Sequence, residues 1–172
     1  MINTPYLPIQ GFSNANADYF GGFTKLWFVP REWLDGFPEL DPTTQVLVSE
    51  PALIGGKSWI GPISVANELI GYEEVSSLSA AGNFYKRKVS FSENGLAAIN
   101  HINIGNLIGY ELCVVGLVRS GAYHVVIGND KAGLKLDSNE STGNGPLGMP
   151  MSKLVLSDES ADKALVLPSF PH

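Results

Sequence analysis

Residues 110–128 read YELCVVGLVRSGAYHVVIG, and this stretch decides the fold. Two apolar runs at 110–118 and 122–127 flank the short segment Arg119-Ser120-Gly121. β-Branched and aromatic residues favour strands, and a glycine-containing turn between two such runs predicts a β-hairpin. A second turn signal, Gly128-Asn129-Asp130, precedes an alternating run at 134–137. The sequence therefore predicts a three-strand meander in this region.

Further strands are predicted on both sides of this meander. The apolar run at 23–29 can place Phe23, Trp27 and Val29 on one face and Leu26 and Phe28 on the other, as in a buried strand. The remaining candidates are the runs at 45–49, 84–91, 153–156 and 164–167. Residues 57–60 are a further possible strand, and residues 63–75 are compatible with either a short helix or a strand.

One helix is predicted, over residues 92–104. Ser92 is a favourable N-cap, Glu93 suits the positive end of a helix, and apolar residues recur at Leu96, Ile99 and Ile102. Gly105 and Gly109 then end it. About eight strands and a single helix predict a mainly β fold, a β-sandwich or half-open barrel with the helix packed against it.

The domain organisation is simple. Residues 1–22 are interrupted by proline and glycine and carry little charge, which predicts an extended N-terminal arm. Residues 23–172 are predicted to form a single β-sandwich domain with a long irregular loop region around 50–80.

Low charge is the most informative property of the composition. Of 172 residues, 11 are Lys or Arg and 17 are Asp or Glu, which is 16% of the chain and a net charge of −6. An average soluble domain has roughly 25% charged residues. Tight wrapping of DNA is disfavoured because phosphate binding depends largely on Lys and Arg. We also expect no membrane-spanning segment and no secretory signal.

Catalytic chemistry finds little support in the sequence. The single cysteine, Cys113, lies in an apolar run, and the three histidines, at positions 101, 124 and 172, have no joint ligand spacing. Asp130, Asp137 and Glu140 do not follow the pattern of a calcium loop. The glycine-rich segment 143–148 precedes Pro150 and a strand rather than the helix that a phosphate loop requires. We therefore predict no enzyme activity, no catalytic residue, no cofactor and no metal site.

A basic triplet, Lys86-Arg87-Lys88, lies in the predicted strand at 84–91. In an extended chain Lys86 and Lys88 point to one face and Arg87 to the other. The favoured interpretation is an edge strand protected by charge, and contact with a nucleic acid or an acidic partner is the alternative.

The C-terminal half resembles a known class of protein through its order of turns and strands. That order is the capped helix, the strand from Gly109, the hairpin at 120–128, Gly133-Leu134-Lys135-Leu136, Leu147-Gly148-Met149-Pro150 and the closing run at 164–168. Over residues 83–168 the chain is similar to ring-forming structural proteins of bacteriophage and prophage tail tubes and necks. The resemblance implies a virion subunit, made in the host bacterial cytoplasm, that forms rings of roughly six copies.

This resemblance implies particular partners and contacts. The partners are copies of the same chain and other virion proteins, with DNA passing through the ring unbound and no membrane involved. Aromatic residues of the arm and of the loop after the first strand are the expected subunit interface: Tyr6, Phe12, Tyr19, Phe20, Trp33 and Phe37.

Two other functions are weighed against assembly. A β-sandwich recognition module would bind carbohydrate or another surface ligand on an aromatic platform drawn from Trp27, Trp33, Trp59 or Tyr85. A small hydrolase or isomerase built on His124 and Asp137 ranks last because no nucleophile accompanies them.

Overall fold

The structure is a computed structural model that describes residues 22–63, 70–80, 82–94, 105–141 and 151–171. Eleven strands lie within these ranges, and residues 105–107 are helical. The strands are β1 (Phe23–Pro30), β2 (Leu34–Gly36), β3 (Ala52–Leu53), β4 (Ile60–Ile63), β5 (Gly71–Ser79), β6 (Gly82–Asn94), β7 (Glu111–Val118), β8 (His124–Ile127), β9 (Leu134–Ser141), β10 (Met151–Ser160) and β11 (Leu165–Leu167). A short 3₁₀ turn, Arg31–Trp33, follows β1. The mainly β fold expected from the sequence is confirmed.

The main sheet is antiparallel and curls back on itself. Its pairing runs from β1 to β7, β9, β10, β6 and β5 in that order. Ile70, immediately before β5, then exchanges two backbone hydrogen bonds of 2.8 and 2.9 Å with Phe23 at the start of β1. β4 pairs with β1, and β8 and β11 extend the sheet from β7. Among the described residues, the result is a barrel that the bridge between Phe23 and Ile70 closes along one line.

β1 divides two hydrophobic cores between its faces. Leu26 and Phe28 belong to the core inside the barrel, whereas Trp27 and Val29 face the second core outside it. Phe23 lies inside with Leu26 and Phe28, so the predicted face for Phe23 is wrong. The register against β7 shifts between Phe23 and Lys25, and the extra residue of this β-bulge changes which face Phe23 occupies.

The two cores are otherwise built from alternating positions of the paired strands. The barrel core also contains Ile70, Val89, Leu112, Val114, Ile127, Leu134, Leu136, Leu154 and Leu156. The outer core also contains Leu47, Trp59, Cys113, Val115, Val126, Leu167 and Phe170. The loop after β1 and the C-terminal segment therefore cover the outer face of β7 and β8.

The predicted meander is wrong in its third strand. β7 and β8 form the expected hairpin, but β9 pairs with Glu111 and Leu112 of β7 instead of with β8. Gly133, immediately before β9, lies close to the backbone of β7, since a Cβ at this position would be 2.9 Å from backbone atoms of Leu112. Glycine permits this approach, and β11 pairs with β8 instead of β9.

The predicted helix is also wrong at its start. Residues 92–94 continue β6, where Ser92 pairs with Lys153 and Asn94 with Met151 of β10. The ladder to β10 outweighs the local capping preference of Ser92. Residues 95–104 lie outside the described part of the chain.

Two further expectations, a strand at residues 45–49 and an irregular region around 50–80, differ from the structure. Residues 45–49 form no strand, and only Leu47 makes an isolated bridge, to Leu40. The region around 50–80, expected to be irregular, contains β3, β4 and the nine-residue strand β5.

Candidate interaction surfaces

The hairpin of β5 and β6 projects beyond the rest of the sheet. The last residue of β10, Ser160, pairs with Tyr85, so within the described residues no third strand lies beside the pairs from Ser77 with Phe84 to Ser79 with Gly82. Three residue pairs correspond to about 10 Å of projecting hairpin. We call residues 75–85 the hairpin tip, of which the structure describes 75–80 and 82–85.

The hairpin tip exposes apolar side chains and contains no charged residue. Leu78 is 83% exposed and Val75 is 49% exposed. Within the described part of the chain, β5 pairs only with β6, so its outer edge is open. Edge strands of monomeric proteins are usually protected by charge, proline or covering segments. The tip carries no charge or proline, as expected for a surface that binds another chain.

The expected edge position of the basic triplet is wrong. β6 lies between β10 and β5, so it is an interior strand. The predicted division of the triplet is confirmed, because Lys86 and Lys88 are exposed and Arg87 is only 2% exposed. A buried guanidinium cannot contact phosphate on a passing nucleic acid.

Arg87 instead organises a polar layer inside the barrel near the base of the hairpin. Its guanidinium makes a two-pronged ion pair with the Asp158 carboxylate, of which the Nε–Oδ1 contact is 2.8 Å, and its Nη1 donates to the Asp162 carbonyl at 3.0 Å. The Tyr72 hydroxyl donates to the Glu74 carboxylate at 3.1 Å, and that carboxylate also accepts from the Ala164 amide. Burial, followed by the nearby Glu74 charge, raises the pKa of Tyr72. These contacts close the barrel at this end.

An apolar cavity of about 520 Å³ lies at the other end of the barrel. The polar side-chain groups among its described lining residues are the Asn106 amide, the Tyr110 hydroxyl and the Trp33 indole N–H, and no charged side chain is among them. The lining consists of Phe28, Pro30, Trp33, Ile60, Ile63, Phe91, Asn106, Leu107, Tyr110, Leu112, Leu136, Leu154 and Leu156. Ile60 and Tyr110 are 36% and 42% exposed, which places them at the rim.

The interface residues expected from the sequence are only partly within the described chain. Tyr6, Phe12, Tyr19 and Phe20 lie outside it. Trp33 and Phe37 are half-buried against the outer core. Trp33 also lines the cavity, and the Lys57 ammonium lies 4.5 Å from the centre of its ring. Sequence reasoning missed Leu78, although the uncharged run around it was visible.

The aromatic platform of the carbohydrate hypothesis is mostly buried. Trp27 and Trp59 are 3% and 8% exposed, and both make edge-on contacts with Phe170 at 5.2 Å between ring centres. Trp33 and Tyr85 are half-buried. Trp27 and Trp59 therefore stabilise the outer core and cannot stack on a sugar in this conformation.

The candidate enzyme groups lie in separate surroundings. His124 packs against Trp27 and Phe170, and burial lowers its pKa. Asp137 is exposed on β9, and the Nδ1 atom of His124 has no hydrogen-bond partner in the described structure. Burial raises the pKa of the Cys113 thiol to about 12, which keeps it protonated near neutral pH.

Within the part of the chain that the structure describes, no group of three or more His, Cys, Asp or Glu side chains is placed to hold a metal ion. No helix in the described residues has the length and apolar character needed to cross a bilayer.

Comparison with protein-family models, with curated proteins and with solved structures found no match to this chain.

Proposed function

We propose that the protein is a structural subunit that assembles with copies of itself into rings of a bacteriophage tail tube or neck. The observation that carries this proposal is the hairpin tip, an open and uncharged strand edge with Leu78 exposed to 83%. The resemblance of the C-terminal half to tail and neck proteins supports a role in a virion. The exposed hairpin tip supports assembly with other copies.

In a monomer, the apolar side chains of the hairpin tip are exposed to water, which is unfavourable. Its outer edge presents backbone N–H and C=O groups beside exposed apolar side chains, an arrangement that promotes pairing with another chain. A self-assembling subunit covers such a surface with a second copy. Contacts between different patches of successive copies close into rings when the rotation between copies divides a full turn.

The charge distribution is compatible with passage of DNA. The net charge is −6, and Arg87 is paired inside the barrel. The exposed Lys86 and Lys88 lie opposite Glu159 and Glu73 on neighbouring strands. A wall of net negative charge repels phosphate and keeps the nucleic acid from adhering.

The state of association tests the proposal directly. We expect the purified chain to show a mass that is a multiple of 18.4 kDa by light scattering, with rings or short tubes in negative-stain images. Leu78→Lys should shift it towards the monomer, because a charge on the hairpin tip must be desolvated on association.

The matched control is Val48→Lys, which changes another exposed apolar residue, 64% exposed, outside the hairpin. This variant should assemble like the unmodified chain. A strict monomer at every concentration would overturn the proposal, whereas equal assembly by the Leu78→Lys variant would show that the hairpin tip is not the assembling surface.

A further inference from the structure

The hairpin tip and the cavity lie at opposite ends of the same strand. β6 begins at Gly82 in the tip and passes through Arg87 to Phe91, which lines the cavity. Nine residues of extended chain span about 30 Å. Because β6 is held by β10 and β5 on its two sides, Leu78 cannot reach the cavity of its own barrel.

From this arrangement we infer that the hairpin tip of one copy binds in the barrel-end cavity of the next. This inference rests on the proposed function, since it names the two surfaces that meet when copies assemble. Each copy then donates its tip at one end and accepts a tip at the other. Such a head-to-tail contact has unlike surfaces and repeats from copy to copy, and it closes into a ring when the rotation between copies divides a full turn.

The chemistry of the two surfaces is complementary. Neither residues 75–85 nor the described cavity lining includes a charged side chain, in a chain with 28 charged residues. Leu78 is the most exposed of the large apolar residues in the described chain, and the cavity walls are almost entirely aliphatic or aromatic. Burial of apolar surface on both partners favours association.

Both surfaces also carry a few polar groups. The tip contains Ser76, Ser77 and Asn83 beside Ser79, whose hydroxyl donates to the Gly82 carbonyl at 3.2 Å, and the cavity offers the Asn106 amide and the Tyr110 hydroxyl. A small number of polar groups in an apolar site fixes the orientation of what binds there. Ile60 and Tyr110, exposed at the rim, are apolar contacts that a tip would cover on entry.

A complementation experiment distinguishes this contact from other modes of assembly. One variant, Leu78→Lys, has a damaged tip and an intact cavity. The other, Ile60→Lys, has an intact tip and a charge at the cavity rim, and Tyr110→Lys is a second rim variant in case Ile60→Lys fails to fold. Val48→Lys is again the control, and circular dichroism checks the fold of each chain.

We expect each damaged variant alone to be monomeric at concentrations where the unmodified chain assembles. Mixing Leu78→Lys with a rim variant should give a one-to-one heterodimer, because one intact tip then meets one intact cavity. Light scattering should show twice the mass of one chain, with association at least tenfold tighter than in either variant alone.

Other outcomes overturn the inference in identifiable ways. Self-association of the rim variants would show that tips pair with each other. Full assembly of Leu78→Lys, with loss of assembly in the rim variants, would show that another segment, such as residues 1–21, occupies the cavity. Absence of a heterodimer on mixing would exclude the tip-to-cavity contact. A monomeric unmodified chain would instead contradict the proposed function itself.

Discussion

Gly116, in the middle of β7, shows how closely the barrel is packed at the level of single atoms. A Cβ at this position would lie 2.5 Å from ring atoms of Phe23, and the Phe23 ring is stacked on Tyr72 at 5.0 Å between centres. The ring therefore cannot move aside without disturbing the contact that lies next to the closing bridge. We expect Gly116→Ala to lower the free energy of unfolding by about 1–3 kcal/mol, measured by urea denaturation.

Gly36→Ala is the matched control for this substitution. Gly36 is exposed in β2, and no atom lies within 4 Å of a Cβ built there. Its effect should stay within about 0.5 kcal/mol. Equal stability of the Gly116→Ala variant and the unmodified chain would mean that Phe23 is free to move.

At the residue level, alternation along strands was predictable and long-range partners were not. The opposite faces of Arg87 and Lys86 follow from strand geometry alone. The partner of Arg87, Asp158, is 71 positions away, and no local pattern connects them. The face of Phe23 could not be predicted because a β-bulge leaves no clear mark in the sequence.

At the level of elements, Arg87 fixes the register of three strands. Glu74 on β5 and Asp158 on β10 are the direct cross-strand neighbours of Arg87 on β6. Arg87→Met removes the partner of the buried Asp158 carboxylate, and we expect a loss of about 3–5 kcal/mol in the free energy of unfolding. Urea denaturation monitored by circular dichroism measures it.

Two further variants make this prediction specific. Lys88→Met changes a neighbouring exposed cation and should alter stability by only about 0.5 kcal/mol or less. The double variant Arg87→Met with Asp158→Leu should be more stable than Arg87→Met alone, because no unpaired buried charge remains. A double variant as unstable as the single one would contradict the role given to the ion pair.

The positions of the strands in the sequence were easier to predict than which strands pair with each other. The turn at 119–121 specifies the hairpin of β7 and β8, since the two runs are close in sequence and of suitable length. The placement of β9 depends on β11 occupying the edge of β8, a contact between segments about 40 residues apart. Local sequence contains no information on that competition.

At the level of the whole molecule, Cys113 is a natural reporter of barrel opening. Its side chain is buried on β7, which pairs with β1 on one side and with β8 on the other. We expect alkylation by iodoacetamide to be negligible in buffer and to rise with urea in step with the loss of circular dichroism, because both the burial and the raised pKa must be relieved first.

An exposed thiol provides the reference rate of alkylation. Ser49→Cys introduces a thiol at an exposed position and should be alkylated rapidly without denaturant. Rapid alkylation of Cys113 in buffer, well below the unfolding transition, would show that β7 separates from its neighbours without global unfolding.

The candidate interaction surfaces were only partly predictable. Low charge over residues 75–85 was readable from the sequence, but the projection of the hairpin depends on where β10 ends. The cavity joins residues from β1, β4, β6, β7, β9 and β10, and it exists only once the barrel closes. Trp33, expected at an interface, does lie beside this cavity, while the proposed contact itself stays a prediction.

The pairing of β1 with β7 also constrains how the chain matures during translation. Val29 pairs with Cys113, 84 positions later, so at roughly 5–20 residues per second the ribosome needs several seconds to deliver the strand that covers β1. Throughout that interval Leu26, Trp27 and Phe28 lack the β7 neighbour that they have in the finished barrel. We therefore expect holding chaperones to bind the nascent protein during this interval, and its yield in a host to depend on them.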